Sequence, residues 1–165
     1  MADDRSVEPR VLAALAEAGI AHEAMEVDPD LADTATFCDH YGVAPEDSAN
    51  CIVVASRDDP PALAACVVLA THRLDVNRVV RKRLGAKKAS FAPPELTHEV
   101  TGMTMGGVTP FGLPDDLPLW VDAAVMAREE VVVGGGSRSL KLRVAPDALV
   151  AVGGEVVDGL ARPIE

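Results

Sequence analysis

Aromatic residues make up only 3% of this 165-residue chain: one Trp, one Tyr and three Phe. With 48% apolar residues overall, disorder throughout is excluded and the core has to be assembled from Ala, Val and Leu. Cysteine is scarce as well. Cys38, Cys51 and Cys66 are odd in number and widely spaced, which fits neither a disulfide framework nor a zinc ribbon and reads as reduced thiols. Long hydrophobic runs are missing, since the longest, Ala62–Ala70, is less than half of the ~20 residues a membrane helix needs. The N-terminus has no signal-peptide pattern, so a cytoplasmic location without membrane contact is expected. Positive charge is the last shortage: 15 Lys and Arg face 26 Asp and Glu, a net charge of −11. Spread evenly, that charge would exclude a general coat for nucleic acid.

The length suits one domain, residues 1–165, with a sizeable core. Ser6 is expected to cap a first helix whose stripe is Val11, Leu12 and Leu15 and which Gly19 stops. A strand around Glu23–Val27 follows, then a second helix, capped by Asp33 or Thr34 and ended by Gly42. The β-branched runs Cys51–Ala55 and Leu63–Thr71, separated by Arg57, Asp58, Asp59, Pro60 and Pro61, predict a hairpin. Asp75 caps a third helix that buries Val76, Val79, Val80 and Leu84, and Pro93, Pro94 and Glu95 open a fourth. Strands are expected at Leu117–Val121, Glu130–Val133 and Leu140–Val144, a short helix from Pro146, and a loosely ordered tail after Gly153. The fold class is α+β: a mixed, mostly antiparallel, barrel-like sheet flanked by helices.

Four glycines and two prolines stand among the fourteen residues Thr101–Pro114. Glycine admits close backbone approach and proline stiffens its neighbours, so this stretch is either a rigid loop offering N–H groups to a ligand or a tight connector. The Gly106, Gly107 spacing matches neither nucleotide-binding glycine pattern. A second cluster, Gly134, Gly135, Gly136 and Ser137, reads as a flexible hairpin turn. Asp122, after Leu119, Trp120 and Val121, is read first as a helix cap and second as a site residue. Seven of the 15 basic residues fall between Arg73 and Lys88, with Asp75 the only acid there. Arg78, Arg81 and Lys82 share one helix face, and Lys87 and Lys88 follow it, a cationic ridge suited to phosphate or simply to water.

Familiar catalytic arrangements are absent. Cys38 and His40 are two apart on one helix and point away from each other, His22, His40, His72 and His98 lack metal-ligand spacing, and no nucleophile elbow occurs. No metal or cofactor is expected.

The segments Ser48–Val54, Leu74–Val76, Leu84–Phe91, Thr101–Gly112, Leu119–Asp122 and Gly134–Ser137 together resemble the YbaK/prolyl-tRNA synthetase-associated family of editing domains over about residues 8–150. The most specific element is Gly106, Gly107, Val108, Thr109, Pro110, Phe111 and Gly112, which is similar to the family's Gly-x-x-x-Pro loop. The resemblance implies a free-standing deacylase that hydrolyses the ester of mischarged tRNA without a metal, using ribose hydroxyls and backbone N–H groups of the glycine loop. It implies a catalytic role for Asn50, Gly106 and Gly107, and a pocket lined by Val108, Thr109, Pro110, Gly112, Asp122 and Gly135. The expected partners are the tRNA acceptor end, with its phosphates on Arg78, Arg81, Lys82, Lys87 and Lys88, and an aminoacyl-tRNA synthetase.

The family pattern has a lysine where this chain has Asn50, which donates and accepts hydrogen bonds but has no charge. Lys141 is the candidate compensation if it points inward across the barrel, whereas alternation with Leu140 and Leu142 favours a solvent-facing side chain. Two rivals therefore stand beside the deacylase: a silent module that binds aminoacyl-tRNA or a small ligand, and an interaction protein using its acidic surface.

Overall fold

The computed structural model describes residues 5–164. Helix α1 (Glu8–Glu17) buries Val11 and Leu15, while Leu12 stays on the outer side of the stripe. Its N-cap position is Val7 rather than Ser6, because the helix starts one residue further on and the Glu8 side chain turns inward to accept a hydrogen bond from Ser137 Oγ. Strand β1 (His22–Glu26) leads to a 3-10 turn, Pro29–Leu31, and to α2 (Thr34–Tyr41). Gly42, at φ +70°, closes α2 in the left-handed conformation that a side chain with a Cβ resists.

Strands β2 (Ala49–Ser56) and β3 (Leu63–Leu69) form the expected antiparallel hairpin. After β4 (His72–Leu74), Asp75 Oδ1 accepts the Arg78 amide, and a wide turn, Val76–Val80, runs into α3 (Arg81–Arg83). The turn is π-helical: the Val80 amide bonds to the Asp75 carbonyl five residues back. Then come β5 (Ala89–Phe91), α4 (Pro94–Thr101), the glycine loop, β6 (Leu119–Asp122), α5 (Ala123–Met126), β7 (Val131–Gly134), β8 (Leu140–Val144) and α6 (Asp147–Ala151). The chain ends in β9 (Glu155–Val157) and β10 (Ala161–Pro163), which corrects the expectation of a loose tail. Pairing orders these residues: β9 runs beside β6, and β10 pairs with β4.

The fold is a mixed α+β arrangement. The two larger sheets have the orders β1-β8-β7 and β5-β2-β3-β6-β9, and β10-β4 forms a third; β3–β6 and β6–β9 are parallel and the remaining pairs antiparallel. A parallel bridge between Ser48 and Val132 joins the two larger sheets. The outer edge of β2 is therefore shared: β7 meets it at Ser48, and β5 meets it from Val54 to Ser56. Asn50 stands in the interval between these partners.

Ala49, Cys51, Val67, Val133, Leu140 and Leu142 face the interior between the sheets, with Met103 and Phe111 among them. The opposite faces are covered in two places. The turn before α3 lays Val80 against Val54, Cys66 and Val68, and α2 lays Phe37 and Cys38 against Val132. Small aliphatic residues supply most of this packing, as the scarcity of aromatics requires. No helix among the described residues is long and apolar enough to cross a membrane.

Candidate functional site

The register of three strands defines the site. Ser48 bridges to Val132, and two residues further along β7 Gly134 pairs directly with Lys141. Asn50 bonds to Thr34 and Lys141 lies over the Phe37 ring, so both project toward α2, from the face on which Gly134 has no side chain.

The space above Gly134 is filled by backbone. A Cβ on Gly134 would lie 2.5 Å from the Val108 carbonyl oxygen and 2.7 Å from that of Gly107, and a Cβ on Gly107 would lie 2.3 Å from the Ser137 carbonyl. The Gly136 amide donates to the Gly107 oxygen at 2.6 Å. The second glycine cluster is thus no free turn: it mates with the first, peptide against peptide, and glycine is required where the two chains touch. The Gly107–Val108 peptide thus lies over Gly134, on the face from which Lys141 projects.

Within the loop, the Gly107 amide donates to the Thr104 carbonyl at 2.8 Å. The amides of Gly106 and Val108, by contrast, make no backbone hydrogen bond among the described residues. Asn50 is half-buried and accepts a 2.8 Å hydrogen bond from Thr34 Oγ1 at the start of α2. That bond occupies its oxygen and leaves its Nδ2 hydrogens as the groups it presents.

Lys141 corrects the expectation of a solvent-facing side chain. Alternation does turn it away from Leu140 and Leu142, but α2 covers that face, leaving the residue 8% exposed with its ammonium 4.7 Å from the centre of the Phe37 ring. It therefore lies beneath α2 rather than across the barrel interior. Burial lowers its pKa below the ordinary lysine value. Cys38 and Asp33 act in the opposite sense, and the Arg138 cation lowers it further.

Arg138 is the residue that sequence reasoning missed. Its Nη1 occupies the place a Cβ of Gly106 would take, and its Nε and Nη2 donate to the Pro29 carbonyl at 3.2 and 2.9 Å. It clamps the turn before α2 to the exposed tip of the glycine loop. The signal was a lone arginine directly after the second glycine cluster.

Other candidates lie apart from this cluster. Thr109 is fully buried and its Oγ1 accepts the Phe111 amide, while Pro110 and Gly112 line a separate cleft of about 330 Å3 with Leu113, Pro114 and Val152. Gly135 donates to the Leu140 carbonyl inside the hairpin. Asp122 occupies the N-cap position of α5 without a side-chain capping bond; buried, it accepts the Ala161 amide at 3.1 Å and ties down β10. Arg78, Lys82, Lys87 and Lys88 are exposed, whereas Arg81 is bound to the carbonyls of Asn77 and Ala86. The ridge and Asn50 share one face of β2. Val80 packs on Val54, four residues or about 13 Å along the strand from Asn50.

The thiols are unsuited to nucleophilic work. Burial raises the pKa of Cys51 beyond the ordinary thiol range, helped by nearby Cys66, and raises that of Cys66 to about 12 against the opposing field of Arg83.

A solved structure described as "a putative trans-editing enzyme for prolyl tRNA synthetase" superposes with a TM-score of 0.81, covering 98% of this chain and 99% of that one at 23% identity. The hypothetical protein APE2540 does so with a TM-score of 0.82 at 25% identity, over 93% and 99%. In sequence, the chain is 23% identical over 101 residues to the "Putative Cys-tRNA(Pro)/Cys-tRNA(Cys) deacylase EbsC" of Enterococcus faecalis, covering 61% of this chain and 60% of that one. It is 33% identical over 73 residues to the protein YwhH of Bacillus subtilis, covering 44% and 46%. The chain thus matches less than two thirds of either relative's length. The aminoacyl-tRNA editing domain pattern matches residues 28–152, three quarters of the chain, which therefore belongs to the aminoacyl-tRNA editing domain family.

Proposed function

We propose that the chain is a free-standing aminoacyl-tRNA deacylase that hydrolyses the ester between a small amino acid and the 3′ ribose of a mischarged tRNA. Membership of the editing family supplies the reaction class. The observation that supports the reading is the Gly107–Val108 peptide lying over Gly134, on the face from which Lys141 projects. With Asn50 also turned toward α2, that face offers a neutral donor, a backbone amide and a cation without a nucleophile of the protein's own.

Such a set suits attack by water. Water adds to the ester carbonyl, and the oxygen that becomes negative is held by the Val108 amide and Asn50 Nδ2, with Lys141 and Arg138 supplying positive potential. Collapse breaks the bond to the ribose oxygen, which takes a proton as the free amino acid leaves. A ribose hydroxyl of the tRNA positions the water. The ridge residues Arg78, Lys82, Lys87 and Lys88 meet acceptor-stem phosphates on the same face of β2, and an aminoacyl-tRNA synthetase is a further partner in trans-editing. The substrate proposed is a small amino acid such as Cys, Ala or Pro, and the Enterococcus relative is named for Cys-tRNA.

The test is release of amino acid from a panel of mischarged tRNAs. Release well above the uncatalysed rate for a small residue, lowered about a hundredfold in Lys141→Met, supports the deacylase. Salt-sensitive tRNA binding with no release favours the binding module, the reading to which the uncharged Asn50 lends weight.

A further inference from the structure

A groove of about 850 Å3 lies between β5 and the β4–β10 pair and includes Arg73, Arg78, Arg162, Ser90, Phe91 and Ile164. Among the described residues its only lining acid is Asp75. In a chain of net charge −11 this is a marked local reversal of sign. The ladder sharpens it: Arg73 and Arg162 are paired directly across β4 and β10, an arrangement in which like charges repel at short range. Asp75 neutralises Arg162, at 2.6 Å, and its other oxygen accepts the Arg78 amide. Arg73 is exposed and has no ion pair among the described residues. Beside these cations Phe91 is 54% exposed and Ile164 53%, an unusual display of apolar surface for a chain with five aromatic residues in all.

We infer that this groove receives an unpaired nucleotide of a nucleic-acid strand, its phosphate between Arg73 and Arg162 and its base on the Phe91 ring. An anion seated there would pair with Arg73, which has no ion pair among the described residues, and would share Arg162 with Asp75, and a flat apolar group would cover Phe91. A peptide acid could meet the same charges, but the joint presence of paired guanidinium groups and an open ring face favours phosphate with an adjoining base. The location suits a strand that also reaches the ester site. Phe91 pairs with Val54 on β2, and Asn50 lies about 13 Å along that strand. The identity of the strand as tRNA rests on the proposed deacylase function; the nucleotide chemistry of the groove does not.

The experiment measures binding of a fluorescent acceptor-stem minihelix with an unpaired 3′ end to the full chain over a range of salt, together with hydrolysis of a short aminoacyl-adenosine ester. Phe91→Ala is expected to weaken minihelix binding about tenfold with an unchanged salt slope, as loss of one stacked base does. Arg73→Gln is expected to weaken it similarly and to lower the salt slope by about one. Both variants should hydrolyse the short ester at the wild-type rate. Wild-type minihelix affinity in both variants would overturn the groove while leaving the deacylase intact. Displacement of the minihelix by an acidic phenylalanine-containing peptide as effectively as by unlabelled minihelix would also overturn it, in favour of a protein ligand. A wild-type chain that neither binds minihelix nor cleaves the ester would instead overturn the deacylase reading.

Discussion

Lys141 holds its ammonium 4.7 Å from the centre of the Phe37 ring, on the face of β8 opposite Leu140 and Leu142. Burial disfavours the charge, and the ring and the Asp33 carboxylate only partly offset that cost. Replacing Lys141 by Met keeps the length and removes the charge, so the variant is expected to be about 1 kcal/mol more stable at pH 7. The pH dependence follows from the lowered pKa. Between the folded value and the unfolded one near 10.5, the unfolded chain binds more protons, so the wild type gains stability as pH rises through that window and Lys141→Met does not. Urea unfolding at several pH values measures both effects. The same variant should lose deacylation by about a hundredfold, the scale of one lost donor to a developing oxyanion. Gain of stability with loss of rate separates a functional lysine from a structural one.

The mating of the two glycine clusters predicts a sharp positional pattern. Gly107→Ala puts a methyl 2.3 Å from the Ser137 carbonyl, and Gly134→Ala puts one 2.5 Å from the Val108 oxygen, backbone in both cases. Each should cost about 3 kcal/mol and lower Tm by about 10 °C. Gly153→Ala meets nothing within 4 Å and suffers only from its positive φ of 96°, so about 1 kcal/mol is expected. Thermal unfolding of the three variants checks the ranking; equal losses would mean that the backbone contacts at Gly107 and Gly134 relax at little cost.

The contrast between these clusters and the rest of the chain shows what a sequence carries. The β2–β3 hairpin and β8 were legible because β-branched runs and turn residues act over a few positions, and Gly42 marked the end of α2 for the same reason. The inward placing of Lys141 was not. Period-two alternation says that a residue faces away from Leu140 and Leu142, but not that a helix one hundred residues earlier returns to cover that face. Likewise each glycine cluster was visible, but their contact joins residues about thirty positions apart, and Arg138 gains its place only from that contact. The ordering of the tail came from pairing with β4 and β6, again nonlocal.

The cysteines should be silent in the native state. Cys51 and Cys66 are buried with pKa values raised by desolvation, that of Cys66 to about 12, and Cys38 is buried on the inner face of α2. Thiolate is the reactive form, so an aromatic disulfide reagent at pH 8 is expected to label none of the three rapidly and all three in 6 M guanidinium. Deacylation should survive prolonged exposure to the reagent under native conditions. Rapid loss of activity with one equivalent bound would point to an accessible thiol at the site, contrary to this packing.

Asn50 offers the most direct test of how charge is arranged around Gly134. Asn50→Ala removes the acceptor of Thr34 and one donor to the substrate, so about 1 kcal/mol of stability and part of the rate should be lost. Asn50→Lys is a different change: it breaks the Thr34 bond and puts a second ammonium on the face from which Lys141 projects, already close to Arg138. Like charges confined there repel, so the single variant should be less stable than wild type and no faster. Combining Asn50→Lys with Lys141→Met moves the cation from β8 to β2 and removes that repulsion. If one positive charge facing the Gly107–Val108 peptide is what the reaction needs, the double variant recovers to within about tenfold of wild type, while Lys141→Met alone remains slow. Single-turnover hydrolysis of a mischarged tRNA compares the four proteins. A double variant as slow as Lys141→Met would mean that the β8 position itself, and not the presence of one cation at the site, supports catalysis.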